Sequence, residues 1–421
     1  MIDAGKLLEL NHWWKLGKVR EEFALPYKRK LFQEILKYLD TRQIIGVVGL
    51  RRVGKSTLFY QIIDFLIKKG TSPESIIYFS FDESRDDIRE ILKVYEENIA
   101  KKRIGNERVF VFLDEIQKLE DWQNKIKAMY DLYPNIKFFI SGSASINILL
   151  PAKESLAGRI FYFDLDLLSF QEFLELRKKN VKKIMENINL WKRELRIEMN
   201  EYLLKPFPEI VDFPDEMAKK YLKESIVEKV ILKDLSGLFE VREIEAIEKI
   251  IAVIGSEPGL IMNLEDMSKD FGIGRQALSN YLYYLQCCFL IRQLKNFRGS
   301  FKAASRKLKK YYLLHPCFSL AYGSETGKIM ENLVAFKTKS DYYWREGGKE
   351  VDFIIKDEDK KITPIEIKYK RQIKKSDLKN LVNFMELFKA KPAIVITDDT
   401  EGKMTINGKT INLIPVWKWL L

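Results

Sequence analysis

The chain has 421 residues, of which 46% are hydrophobic, 12% aromatic and 31% charged. So much apolar and aromatic material excludes a largely disordered protein, and three cysteines without ligand-like spacing exclude a disulfide scaffold. A formal net charge of +12 favours a polyanionic partner, although a lysine- and glutamate-rich thermophile surface gives the same balance.

Residues 1–30 form a basic N-terminal segment that lacks the long apolar core of a signal peptide. Its "NHWW" motif is expected to pin the segment by packing, with Trp13 and Trp14 as the anchors. No apolar run in the chain approaches the ~20 residues of a membrane span, so the sequence reads as cytoplasmic and without a membrane partner. Over 31–165, apolar runs alternate with helical stretches: "IIGVVGL", "IIYFSF", "VFVFLDE", "KFFISGS" and "RIFYFDL". Nearly continuous apolar strands of this kind predict a parallel sheet covered on both faces. Residues 166–250 read as helical, residues 251–315 as a helix–turn–helix followed by a basic stretch, and residues 325–421 as a helix leading into strands, a further helix and a final strand.

The first run leads into "GLRRVGKST", and a helical pattern follows. Gly49, Gly54, Lys55 and Ser56 have the spacing of a phosphate loop, in which glycines let backbone N–H groups converge on one phosphate at a helix N-terminus. Arg52, Val53 and Thr57 complete the expected nucleotide-binding stretch. Lys55 would meet the β- and γ-phosphates, and Ser56 would ligate Mg²⁺. "VFVFLDEIQ" supplies the partner strand, whose acidic residues emerge at the C-terminal end where open α/β sheets bind ligands. Asp114 would hold Mg²⁺ through water, and Glu115 would polarise the attacking water, which implies ATP hydrolysis as well as binding. Ser143, or Ser141 beside it, is the candidate γ-phosphate sensor. Arg159 in "LAGRIFYF" is either a transition-state cation, from this subunit or a neighbour, or a structural ion-pair partner.

"GLRRVGKST", "VFLDEIQ", "ISGSAS", "LAGR" with "LSFQEF", and "PFPEIV" occur in this order. Together they resemble the archaeal and bacterial AAA+-like ATPases of the AAA_14 type with a DUF4143-type C-terminal region. The resemblance implies an α/β chain with a P-loop NTPase parallel-sheet core (31–165), a helical lid (166–250), a winged helix (251–315) and a restriction-endonuclease-like domain (325–421).

In "MSKDFGIGRQALSNYLYYLQ", the second helix should turn Leu278, Leu282 and Leu285 inward. Arg275, Gln276, Ser279 and Asn280 would then face DNA. The run 295–310 carries seven Lys/Arg and no acid. Lys302, Arg306, Lys307, Lys309 and Lys310 within it are candidate phosphate contacts; a protein-spacing module with a solvated basic run is the other reading.

"EVDFIIKDEDKKITPIEIKYK" (350–370) predicts two paired strands. Glu350 and Asp352 should project opposite Val351 and Phe353, and Glu366 and Lys368 opposite Ile365 and Ile367. Asp352, Glu366 and the carbonyl of Ile367 would hold a second Mg²⁺ or Mn²⁺, and Lys368 would act on the attacking water. Glu331, on an upstream helix, is a fourth candidate. Glu331, Asp352, Glu366 and Lys368 together resemble the PD-(D/E)xK nuclease pattern. The sequence therefore suggests an ATP- and Mg²⁺-using hydrolase acting on or near DNA, with homo-oligomerisation open. Its alternative is a signalling or scaffold ATPase whose nuclease fold is inactive.

Overall fold

Five apolar runs become five strands: β1 (Ile44–Val48), β2 (Ile76–Ser80), β3 (Val109–Asp114), β4 (Ile136–Gly142) and β5 (Ile160–Asp164). They form one all-parallel sheet in the order β2-β3-β4-β1-β5. This computed structural model describes all residues except 1–2, 83–85, 102–103, 105–106, 144–155, 236–238, 240, 242 and 299–307. Every residue of β1, β3 and β4 is buried, which explains why their sequences do not alternate. Phe59, on the helix Lys55–Lys68, packs edge-on against Phe112, which stacks on Phe139 at 4.3 Å.

The strand β2 lies at an edge of this sheet, and the N-terminal segment covers it. Asn11 follows the helix Ala4–Leu10, and its amide donates to the carbonyl of Tyr78 at 2.9 Å while accepting from the Tyr78 N–H at 2.6 Å. Trp13 and Trp14 both donate their indole N–H to the carbonyl of Ile76, at 3.1 and 2.8 Å. Side chains thus take the place of a neighbouring strand on an edge that would otherwise be open. Trp13 is fully buried, so the pinning role expected of "NHWW" is what the structure displays.

The contacts divide the chain into residues 1–167 and 168–421. In the second unit, nine strands form one sheet: β6 (Leu260–Met262), β7 (Ile291–Asn296), β8 (Lys309–Leu313), β9 (Tyr342–Glu346), β10 (Lys349–Lys356), β11 (Ile362–Lys368), β12 (Ala393–Thr397), β13 (Gly402–Ile406) and β14 (Lys409–Pro415). Its order is β13-β14-β12-β11-β10-β9-β7-β8-β6, so strands of the 251–315 segment and of the 325–421 segment are joined where β7 pairs with β9. The helices Phe170–Leu176 and Lys192–Leu204 share a core with the helix Thr326–Thr338 and with Phe353 and Ile365. Ser169 and Glu172 form a capping box at the start of the first of these helices, a signature already visible as S-F-Q-E.

No helix among the described residues is long and apolar enough to cross a membrane. His315 caps the short helix Pro316–Ser319, its Nδ1 accepting from the Cys317 N–H at 3.2 Å, and it is completely buried against Tyr202 and Phe336. Burial lowers its pKa to about 3. A depressed folded-state value means stability that is present above the unfolded value of ~6.5 and is lost as pH falls toward 3. Between pH 7 and pH 5 the loss should be roughly 2 kcal/mol. His315→Asn keeps a side-chain cap and should remove that share of the pH dependence in urea unfolding. Identical pH dependence in the two proteins would contradict this.

Candidate active site

Two loops at the C-terminal edge of the parallel sheet build the site. The loop after β1 runs to Lys55, which opens the helix Lys55–Lys68. Gly54 caps that helix with φ +102°, a conformation open to glycine. A side chain at Gly49 would meet the carbonyl oxygen of Leu165 at 2.2 Å, so only glycine fits where this loop leaves the sheet. Arg52 also has positive φ, and Val53 is buried. Arg29 braces the loop from outside, donating to the carbonyls of Val53, Asp166 and Leu167.

Lys55 is buried, and its ammonium donates to the carbonyls of Gly49 (3.1 Å) and Leu50 (3.2 Å). Among the described residues no carboxylate pairs with it. A buried cation held only by carbonyl dipoles is an anion site. Thr57 and Ser56 follow it in the first turn of the helix.

Asp114 ends β3 and is 2% exposed. Because β4 lies between β3 and β1, its Ser141 sits between the two loops. Ser141 and the N–H of Glu115 donate to Asp114 Oδ1, and Ser56 (2.5 Å) and Tyr78 (2.9 Å) donate to Oδ2. Burial, followed by the charge of Asp114, holds the Tyr78 phenol well above its usual range, so it remains a donor. Ser56 and Asp114 bring hard oxygen atoms together as Mg²⁺ requires, and the donor set fits that ion. Glu115 has φ +53°. Gln117 donates to Glu115 Oε2 at 2.5 Å and to Ser143 Oγ at 3.0 Å, linking two residues the sequence singled out. Gln117, Tyr78, Ser141 and Arg29 were not singled out for these roles; "DEIQ" was a local signal for Gln117 alone.

Of the two readings of Arg159, the structure displays the ion-pair partner and corrects the transition-state cation within one chain. Arg159 immediately precedes β5, at the N-terminal edge of the sheet, and pairs with Asp131 at 3.1 Å. Because the sheet is parallel, this is the end opposite the phosphate loop, so Arg159 cannot serve the site of its own chain.

An AAA-domain family model matches residues 41–174, and two domains of unknown function, DUF8612 and DUF4143, match 198–320 and 326–419. An uncharacterized protein of Methanocaldococcus jannaschii is 30% identical, over 91% of this chain and 89% of its own length. The chain belongs to this AAA-domain family. A protein of Haemophilus influenzae is 25% identical over 94% of this chain and 99% of its own, and a second M. jannaschii protein 26% identical over 98% and 93%. The solved structure of C. elegans PCH-2 aligns over 68% of this chain and 70% of its own at 12% identity, with a TM-score of 0.24 too low to carry an argument. An AAA domain with this loop and carboxylate binds and hydrolyses ATP.

The second cluster of the AAA-family chain lies in the nine-stranded sheet. Strands β10 and β11 pair antiparallel, with Phe353 opposite Ile365. A bulge against β9 between Val351 and Ile354 changes the alternation. Phe353 joins the core beneath the helix Thr326–Thr338, whereas Val351 and Ile354 join the core beneath the helix Lys379–Leu387. Val351 and Phe353 therefore do not share a face as alternation predicts.

Glu331, Glu350 and Asp352 do converge, but on Lys310. Its ammonium lies 2.7, 2.9 and 3.4 Å from their oxygens and is 1% exposed. Tyr312 also donates to Glu331, at 2.7 Å. A side chain on Gly259 would come within 2.6 Å of Glu331 Oε1, so glycine is required there too. Burial alone would lower the Lys310 pKa, but Tyr312 and the carboxylates outweigh it and hold the group well above its usual range. Burial and Glu331 push Asp352 up, and burial with Asp352 raises Glu366 to about 8.

Two expectations change as a result. Lys310 is not a surface phosphate contact, because it is itself buried and its charge is held by Glu331, Glu350 and Asp352. The cluster does not fit a second Mg²⁺ or Mn²⁺, because an ammonium already occupies the cation position. The backbone N–H of Ile367 also donates to Asp352, at 2.9 Å. Lys368 pairs with Glu366 at 2.6 Å. Of the other DNA candidates, Arg275 and Gln276 are exposed on the first turn of the helix Arg275–Cys287, whose Leu278, Leu282 and Leu285 are buried. Lys309 is half-buried, and Lys302, Arg306 and Lys307 lie outside the described residues.

Proposed function

We propose that this protein is an ATP-hydrolysing AAA-family protein that acts on or near DNA, with a nuclease-like C-terminal fold that does not cut. The observation that carries the ATPase reading is the buried Lys55 with no counter-anion among the described residues, beside the paired oxygens of Ser56 and Asp114. Lys55 would neutralise phosphate charge, Ser56 and Asp114 would hold Mg²⁺, and Glu115 would orient and deprotonate the attacking water. Bound Mg²⁺ supplies charge neutralisation on the transferring phosphoryl group. Ser143 would report on the γ-phosphate, a role supported by its link to Glu115 through Gln117.

The DNA role is supported by the helices Leu264–Phe271 and Arg275–Cys287 with strands β6, β7 and β8, an arrangement like a winged helix with exposed Arg275 and Gln276 on the second helix. DNA-stimulated ATP turnover is the test of this role; turnover indifferent to every form of DNA would remove it. Arg275→Glu should lower affinity for duplex DNA and reduce the slope of log K against log salt by roughly 0.9 for the lost phosphate contact. An unchanged slope would move the interface elsewhere.

The Lys310 cage favours a second reading for the C-terminal fold: a docking platform whose state follows the nucleotide. On this reading, linear, nicked and branched DNA all remain intact with Mg²⁺ or Mn²⁺ and ATP. Cleavage that Asp352→Ala abolishes would overturn it.

A further inference from the structure

The matched AAA domain begins at residue 41, yet the segment before it reaches the metal end of the nucleotide site. A cleft of about 390 Å³ lies beside Ser56 and Asp114, and Leu10, Glu22 and Phe23 of the N-terminal segment form one of its walls. Tyr78 and Tyr60 line it as well, their rings 4.8 Å apart, and Tyr60 packs against Phe23 at 5.0 Å. Tyr78 is the element that joins this wall to the chemistry. It lies on β2, and its hydroxyl reaches across to β3, to the same oxygen of Asp114 that Ser56 approaches. Its backbone N–H and carbonyl are both held by Asn11, a completely buried amide.

A carboxylate that must offer one lone pair to a cation needs its rotation fixed. Asp114 has its Oδ1 held by Ser141 and the Glu115 N–H, and Tyr78 fixes the other oxygen. This is the outer-shell arrangement that orients metal ligands generally. We propose that Tyr78, clamped by Asn11, is a positioning residue for the divalent ion at Ser56 and Asp114, so that the N-terminal segment is a working part of the nucleotide site. The inference rests on the ATPase reading above.

The experiment is nucleotide binding by the full chain, measured with a fluorescent ATP analogue, without Mg²⁺ and then across a Mg²⁺ titration. Tyr78→Phe keeps the ring and removes only the hydroxyl. It should leave Mg²⁺-free affinity at the wild-type value and raise the Mg²⁺ concentration for half-maximal enhancement about tenfold, the effect of losing one hydrogen bond to a charged group. Asn11→Ala should move the same quantity in the same direction, and a thermal melt shows whether that variant remains folded. If wild type binds no nucleotide, the underlying reading fails. If wild type shows Mg²⁺-enhanced binding and Tyr78→Phe has the same half-maximal concentration, the positioning role is overturned. Equal loss of Mg²⁺-free and Mg²⁺-bound affinity also overturns it, because that is the signature of a structural role alone.

Discussion

Glu115→Gln should bind ATP as tightly as the parent chain and hydrolyse it on the order of 100-fold more slowly, or worse, the usual cost of removing a general base. The division of labour follows from geometry. Lys55 is buried in the phosphate loop, and Ser56 and Asp114 share a 2.5 Å contact, so binding determinants are complete without Glu115. The Glu115 carboxylate accepts from Gln117, and Ser56 donates directly to Asp114, so the Ser56–Asp114 contact does not depend on it. Single-turnover measurements with ATP and Mg²⁺ separate binding from chemistry. Wild-type turnover in Glu115→Gln would remove this residue from its role and leave the site without an assigned base.

Lys310→Met should be among the most destabilising single changes in the chain, at roughly 3–5 kcal/mol, because it removes the one buried cation shared by three carboxylates and leaves Glu331 and Glu350 with only the outlying Lys328 and Arg345. Glu331, Glu350 and Asp352 all contact that ammonium. Introducing Glu331→Gln into the Lys310→Met background should recover part of the loss, since one uncompensated charge is then gone. Urea unfolding of the three proteins checks both statements. Mn²⁺ should stabilise Lys310→Met more than wild type, since only the variant has an open cation position. A loss below ~1 kcal/mol, or equal stabilisation of wild type by Mn²⁺, would show that Lys310 is not the resident cation.

What the sequence made legible was local. The phosphate loop is contiguous, so its spacing fixes its geometry, and the apolar run ending in Asp114 announces a buried strand with an acid at its mouth. The position of Arg159 was also legible in principle, because a residue just before a parallel strand must lie at the end opposite the loop after β1. Contacts set by strand order were not legible. Tyr78 and Ser141 reach Asp114 only because β2 and β4 flank β3. Lys310 was hidden in a run of basic residues: β8 buries it, and nothing local distinguishes it from the half-buried Lys309 beside it. The bulge near Asp352 likewise breaks a two-residue alternation without leaving a glycine or proline to mark it.

Lys55, Ser56, Asp114 and Glu115 are proposed to form a working ATP-hydrolysing site. The most direct test is phosphate release from ATP by the purified full chain with Mg²⁺, compared with Lys55→Ala under the same conditions. Wild type should release phosphate in a Mg²⁺-dependent manner, and Lys55→Ala none above background. Equal release from both proteins, or no release from wild type with or without DNA, would contradict this proposal.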